Sequence, residues 1–201
     1  MKNYININNQ KIMLTDEQVR EIQQSFGFSG KLADIAAGDT FKAGEYEFIV
    51  LEHSKETTAV ILKNLLIDDV KFGKNNNYDG SNVERICNDF ADKLADILGS
   101  HAIVEHTVDL TSDDGLKDYG KIKRRVSLLT ANQYRRYVEI LDKHKINVWW
   151  WLATAFSTPT HNAHNWVKCV SSYGGVSFNF CNFDHGVRPF CILKSNIFVS
   201  K

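Results

Sequence analysis

The spacing of apolar residues divides the chain into helices, hairpins and a long stretch that keeps neither period. Residues 4–7 and 11–14 read as short strands. Thr15 and Gln18 then make a capping-box pair ahead of Val19, Ile22 and Phe26, which predicts a helix ended by Gly27 and Gly30. Residues 46–52 and 58–63 are rich in β-branched and aromatic side chains around a polar turn at 53–56, the pattern of a β-hairpin. Ser81 and Glu84 form a second capping-box pair, and Val83, Ile86, Phe90, Leu94 and Ile97 recur at three and four residues until Gly99, predicting a long amphipathic helix. A third helix is predicted from 130 to 143, capped by Thr130 with Gln133 and burying Tyr134, Tyr137, Val138 and Leu141.

Past that helix the character of the chain changes. Between 149 and 187 only Lys168 and Asp184 carry formal charge, and turn residues separate short β-like pieces near 148–152, 166–171, 176–180 and 187–193. A length of 201 residues fits one domain with a small appendage, divided as 1–37 and 38–201. Lys and Arg together number 24, as do Asp and Glu, so bulk charge gives no reason to expect nucleic acid or an anionic membrane as a partner. Residues 1–10 are polar and no apolar run has the length of a membrane span, so neither an export signal nor a transmembrane segment is visible. Synthesis in the cytoplasm is the expectation, and a virion protein released by lysis would read the same way.

Most chemical motifs fail on inspection. Residues 75–80 offer the alternating oxygens and glycine of a calcium loop, but the loop opens with Asn75 and its twelfth position is Ile86. Residues 109–120 carry four aspartates, yet Asp114 stands where glycine is needed and Gly120 where the bidentate glutamate belongs, so this segment reads as an acidic surface loop. His161 and His164, with Cys169, Cys181 and His185 downstream, have a zinc-like inventory, but Pro159 and the surrounding small polar residues argue for a loop in which spacing guarantees no geometry. No metal or other cofactor is therefore expected. Lys121, Lys123, Arg124 and Arg125 read as a solvated strand end. The four cysteines, Cys87, Cys169, Cys181 and Cys191, form no Cys-x-x-Cys pair and read as reduced and structural. No nucleophile elbow, phosphate-cradling loop or His-Glu-x-x-His is present, and no catalytic residue is assigned.

Two windows, 153–165 and 169–187, contain no Glu, Lys, Gln, Met or Trp. Every residue type in them can be written by a codon ending in a pyrimidine, within the set reached by randomising the adenines of an Asn codon. The windows are framed by Trp149-Trp150-Trp151-Leu152, by Trp166-Val167-Lys168-Cys169-Val170-Ser171, and by Gly186-Val187-Arg188-Pro189. In that order, with Gly174-Gly175-Val176 between, these residues resemble the C-terminal domain of C-type-lectin-like variable proteins diversified by retroelements, and a large phage and bacterial domain of unknown function with the same Trp-Trp-Leu and Gly-Val-Arg-Pro ends. The resemblance covers residues 38–201. Ala153-Thr154-Ala155 replaces the more usual Arg-Ser-Pro, and no Glu-Pro-Asn or Trp-Asn-Asp triplet is present, so calcium-dependent sugar binding is not implied.

The resemblance implies an α+β, C-type-lectin-like fold with mixed antiparallel strands, two main helices and a loop-rich C-terminal half, plus the small N-terminal strand-helix element. It also implies a non-enzymatic binding protein, in phage versions associated with the tail, whose partners are a protein or glycan on a cell surface and other tail components; oligomers are compatible with it. The related formylglycine-generating enzymes use two close cysteines, whereas Cys181 and Cys191 are ten apart. A structural or interaction domain with one fixed partner is the next reading, and an enzyme of the formylglycine-generating kind on the same scaffold comes after it. The expected ligand face comprises Phe156, Ser157, Thr158, Thr160, His161, Asn162, His164, Asn165, Ser172, Tyr173, Phe178, Asn179, Phe180, Asn182, Phe183, Asp184 and His185. Aromatic anchors interleaved with short hydrogen-bonding groups are the usual composition of a paratope. Strict alternation would instead bury Val176, Phe178 and Phe180 together and expose Ser177 and Asn179. Phe183, among polar neighbours, reads as exposed, and Trp149, Trp150, Trp151, Trp166 and Pro189 read as scaffold.

Overall fold

The computed structural model of the chain describes residues 4–7, 10–15, 17, 18, 21 and 30–200. In chain order they form β1 (Tyr4–Ile7), β2 (Gln10–Met13), β3 (Gly30–Lys31), β4 (Thr40–Ala43), β5 (Tyr46–His53), β6 (Thr57–Leu62), β7 (Ile67–Lys71) and α1 (Asn82–Leu98). These are followed by β8 (Ile103–Val104), β9 (His106–Asp109), β10 (Lys121–Arg124), β11 (Val126–Ser127), α2 (Ala131–Lys143), β12 (Trp150–Ala155), β13 (Trp166–Val170), β14 (Val176–Phe180), β15 (Asp184–Val187), β16 (Phe190–Lys194) and β17 (Phe198–Val199). This mixture of helices and largely antiparallel sheets is α+β, as expected.

Two sheets carry the architecture. One has the order β11-β16-β6-β5-β4, with β8 also paired to β16, and the other runs β14-β13-β12-β15-β7. All pairs in the second sheet are antiparallel except β12 with β15, which meet at Trp150 and Gly186. Strand β12 is buried along its whole length, which is why its sequence is continuously apolar or small instead of alternating. Its neighbouring tryptophans serve opposite faces: Trp150 meets Tyr134 of α2 edge to face at 5.7 Å, and Trp151 meets Phe72 at 5.6 Å. Trp151 Nε1 also donates to the Val70 carbonyl at 2.8 Å, so the indole is buried with its polar atom satisfied.

The helices form where the caps place them, and in α1 the buried stripe keeps Val83, Phe90 and Leu94 but is shifted away from Ile86 and Ile97. Val83, Cys87, Phe90, Ala91 and Leu94 are buried, whereas Ile86 packs at the flank and Ile97 is exposed. Small Cys87 and Ala91 lie on the axis of the buried stripe, and a count of large apolar residues passes over them. Ser81 Oγ accepts from the Glu84 N–H, but Glu84 does not close the box: its carboxylate accepts from the Gly80 N–H at 2.7 Å and from Arg124 Nε, while the Ser81 N–H donates to Tyr78. In α2 the Thr130–Gln133 box is complete. Tyr134, Tyr137 and Leu141 are buried and Val138, one position off that stripe, is exposed.

The piece expected at 187–193 is two strands in two sheets. β15 ends at Val187 and β16 starts at Phe190, and the chain crosses from one sheet to the other through Arg188 and Pro189. Arg188 is 1% exposed and, among the described residues, has no carboxylate partner; its Nε and Nη2 donate to the carbonyls of Leu62 and Lys63, both at 2.8 Å, and it lies over the Trp150 ring. Gly186 is required by crowding, since a Cβ there would lie 2.2 Å from Leu65 Cδ1. The Gly-Val-Arg-Pro segment is thus a junction between sheets. The piece expected at 148–152 begins two residues later, and Trp149 is 36% exposed, stacked on His185.

At the N-terminal side, Thr15 and Gln18 exchange both capping bonds, while Val19, Ile22, Phe26 and Gly27 lie outside the described residues. β3 pairs with β17, and Leu32 and Ile35 are buried in the main core, so the packed body already includes residues from 30 onward. Among the described residues no helix is long and apolar enough to cross a membrane.

Candidate functional site

The charge-poor segment folds as the outer half of the second sheet. β13 and β14 pair so that Trp166 opposes Phe180 and Lys168 opposes Phe178, and these four side chains share one face. Phe178 and Phe180 are 44% and 37% exposed, so the alternation runs opposite to that of an inner strand: the face carrying the rings is turned to solvent, and Asn179 on the other face reaches the buried His185. The rings form a continuous set: Phe156 to Phe178 at 4.8 Å, Phe178 to Trp166 at 5.3 Å, Trp166 to Phe180 at 3.7 Å, and Phe180 to Phe183 at 6.1 Å. Trp166, expected as scaffold, is half-buried at the centre of this set, between the more exposed Phe178 and Phe180.

Lys168 lies beneath the rings, only 7% exposed, with Nζ 3.0 Å from Asp113 Oδ2 and within 5.7 Å of the Phe156 and Phe178 centroids. The segment 156–165 before β13 is held from below. Asn76, fully buried, directs Nδ2 at the carbonyls of Ser157, Ala163 and Trp166, all within 3.0 Å, and its Oδ1 accepts from Tyr119 Oη. Asp114 Oδ2 accepts from Ser157 Oγ at 2.6 Å and His161 Nδ1 at 2.9 Å, and Asp118 Oδ2 accepts from Thr158 Oγ1 and Thr160 Oγ1, both at 2.7 Å. Burial raises the Asp114 carboxyl, but hydrogen bonds from Ser112, Ser157 and His161 outweigh it and hold the group well below the usual range. The hydroxyls of Thr158 and Thr160 lower Asp118 in the same sense.

The acidic loop is therefore a clamp and not merely solvated surface. Sequence reading missed this; the available signal was a run of carboxylates in a chain whose later segment is rich in hydroxyls and almost free of cations.

These contacts correct part of the expected ligand face. Ser157 and Thr158 are 3% and 0% exposed because their hydroxyls are committed to the aspartate loop. His185 is also buried, against Trp149 and Trp151, where Asn179 Nδ2 donates to its Nε2 at 3.1 Å; burial lowers its pKa. Asn179 consequently points to the inner side of the sheet. Thr160, His161, Asn162, His164, Asn165, Asn182, Phe183 and Asp184 are exposed, and Phe156 is partly so. Ser172, partly buried, and Tyr173, 86% exposed, belong to the β13–β14 turn at the opposite end of the hairpin from Phe180, so they do not join the same patch.

The thiols are poor nucleophiles here. All four cysteines are free and buried, and burial pushes Cys87 and Cys169 up to about 12 and raises Cys181 and Cys191 as well. Cys181 follows β14 in the second sheet while Cys191 is on β16 in the first. No group of three metal-ligating side chains occurs among the described residues. What the face offers a visitor is aromatic surface rimmed by short amides, imidazoles and a carboxylate.

No curated protein and no solved structure matches the chain. A family model described as a domain of unknown function (DUF6273) matches residues 56–195, from the β5–β6 turn through β16, taking in the whole second sheet, the first sheet apart from β4 and β5, α1, α2 and the aromatic face. That match spans well over half of the sequence, and the chain belongs to this family.

Proposed function

We propose that this chain is a non-enzymatic binding protein with a C-type-lectin-like scaffold that presents the Phe156, Trp166, Phe178, Phe180 and Phe183 surface to a protein or glycan on a cell, as a phage or prophage tail-associated module. The observation that supports it is the exposure of a continuous aromatic set on a buried, hydrogen-bonded sheet. A soluble protein gains nothing for its own stability by exposing such a patch, and patches of this kind mark interaction sites. Rigid aromatic anchors beside amides follow the energetics of recognition surfaces, where a few rings dominate affinity. Diversification is part of this reading, and the positions free for it are the exposed ones: Asn162, His164, Asn165, Phe178, Phe180, Asn182, Phe183 and Asp184. Ser157, Thr158 and His185 would stay constant.

The coding DNA and a cell-binding assay test this. A nearby repeat matching codons 153–187 except at adenines, with a reverse transcriptase gene, is expected. Labelled protein is expected to bind intact bacterial cells and to lose binding at least tenfold in Phe178→Ser with Phe183→Ser. Absence of repeat and transcriptase leaves a module with one fixed partner, and cell binding unchanged in the double variant removes the aromatic face from the function.

A further inference from the structure

The four outer strands of the two large sheets are protected unequally. β4 is capped by Ser200, whose N–H and C=O both bond Lys42. β11 has only two residues. β7 carries Asp68, Asp69 and Lys71, and Asp69 breaks the strand with φ 56°. Charges, short length and irregularity are the usual ways of preventing a sheet edge from adding another strand. β14, Val-Ser-Phe-Asn-Phe, has no charge and no irregularity in its pairing.

The direction of its free backbone groups follows from the ladder. Cys181 N–H bonds Asn165 C=O at one end and Ser171 N–H bonds Gly175 C=O at the other, in the same register as the intervening pairs. Hydrogen-bonded and non-bonded pairs alternate in an antiparallel ladder, so Ser177 and Asn179 face β13 while Val176, Phe178 and Phe180 aim their N–H and C=O outward. Phe180 is satisfied locally, its N–H by Asn179 Oδ1 and its C=O by the Phe183 N–H. Among the described residues, Val176 and Phe178 have no such partner for their outward groups.

We propose that β14 pairs antiparallel with β14 of a second copy of this chain, about a two-fold axis at Ser177. The edge calls for an uncharged strand with apolar side chains at alternate positions, and β14 is itself such a strand. In this register Val176 and Phe178 exchange hydrogen bonds with Phe178 and Val176 of the other copy. Apolar and aromatic side chains then stand opposite each other, a favourable cross-strand pair, and small Ser177 lies on the axis. The chain has no net charge to oppose association of two copies. The two five-stranded sheets become continuous, with the Phe178 and Phe180 faces of both copies on one side. This association is independent of whether that face binds a cell-surface ligand.

Sedimentation velocity on the whole chain tests it. The wild type is expected to shift from monomer to dimer as concentration rises. Val176→Pro, which removes an outward N–H and no bond to β13, and Ser177→Lys, which sets like charges against each other on the axis, are each expected to remain monomeric with an unchanged far-UV spectrum. Should the variants misfold, amide exchange in the wild type decides: slowing at Val176 and Phe178 with concentration supports the pairing. A wild type monomeric to millimolar concentration, a dimer retained by both folded variants, or exchange at Val176 and Phe178 that ignores concentration overturns it.

Discussion

Lys168 and Asp113 meet at 3.0 Å directly beneath the Phe156 and Phe178 rings, with the ammonium 7% exposed. Removing the carboxylate leaves that ammonium unpaired, whereas replacing the lysine by an apolar residue leaves an aspartate that still has Arg135 at 2.8 Å. Asp113→Ala is therefore expected to cost about 2–4 kcal/mol and Lys168→Met less than about 1 kcal/mol, following the asymmetry of buried pairs. Guanidinium denaturation of the two variants measures the difference.

Asn76 supports the aromatic face at a distance. Its amide holds three backbone carbonyls of 157–166, so Asn76→Ala strands several buried acceptors and is expected to lose roughly 2–4 kcal/mol. Asn76→Asp removes the donors and places a carboxylate against those carbonyls, and is expected to be the worse of the two. Urea midpoints give the order, and faster amide exchange at Ala163 and Asn165 locates the damage.

Stability should fall with acid in two stages. Burial lowers the His106 imidazole to about 4, so the folded state resists protonation that the unfolded chain accepts near 6.5. Its contribution is complete above 6.5 and is lost as pH drops toward 4, about 3 kcal/mol at most. Below that come the carboxylates. Hydrogen bonds from Thr111 and Lys121 hold Asp109 at about 2. In Asp113 burial is outweighed by Arg135 and Lys168, and Asp114 and Asp118 are depressed by their hydroxyl and imidazole partners. Their stabilisation is present above the unfolded value near 4 and disappears as pH falls toward 2. His106→Gln is expected to flatten the first stage and Asp114→Asn the second in denaturation series run across pH.

Exposed aromatic positions should be free to change. Phe183→Ser and Tyr173→Ala, at 51% and 86% exposed, are expected to shift stability within about 0.5 kcal/mol. Arg188→Ala should cost about 3–5 kcal/mol, since it abandons two carbonyls inside the sheet junction, and Arg188→Lys should not restore it because one ammonium lacks the fork that spans Leu62 and Lys63. Thermal unfolding of the set separates face from frame.

Local chemistry was the legible part of the sequence. Thr130 with Gln133, Ser81 ahead of α1, and the β-branched runs of β5 and β6 all specify structure within a few residues, and each forms where it is expected. Long-range pairing left no local mark. Nothing near Asp114 announces His161, nothing near Asn76 announces the backbone of Ser157, and the bonds that bury Thr158 and His185 join residues far apart in the chain or across a sheet.

The position of β16 sets a schedule for biosynthesis. That strand lies between β11 and β6 inside the six-stranded sheet, yet it is made after every other strand of that sheet. A nascent chain ending anywhere before residue 190 has β6, β5 and β4 without the strand that joins them to β11, so the ribosome must deliver every other strand of both large sheets before the body can close. Termination before residue 190 should therefore leave that sheet unjoined, however much of the aromatic face has already been made.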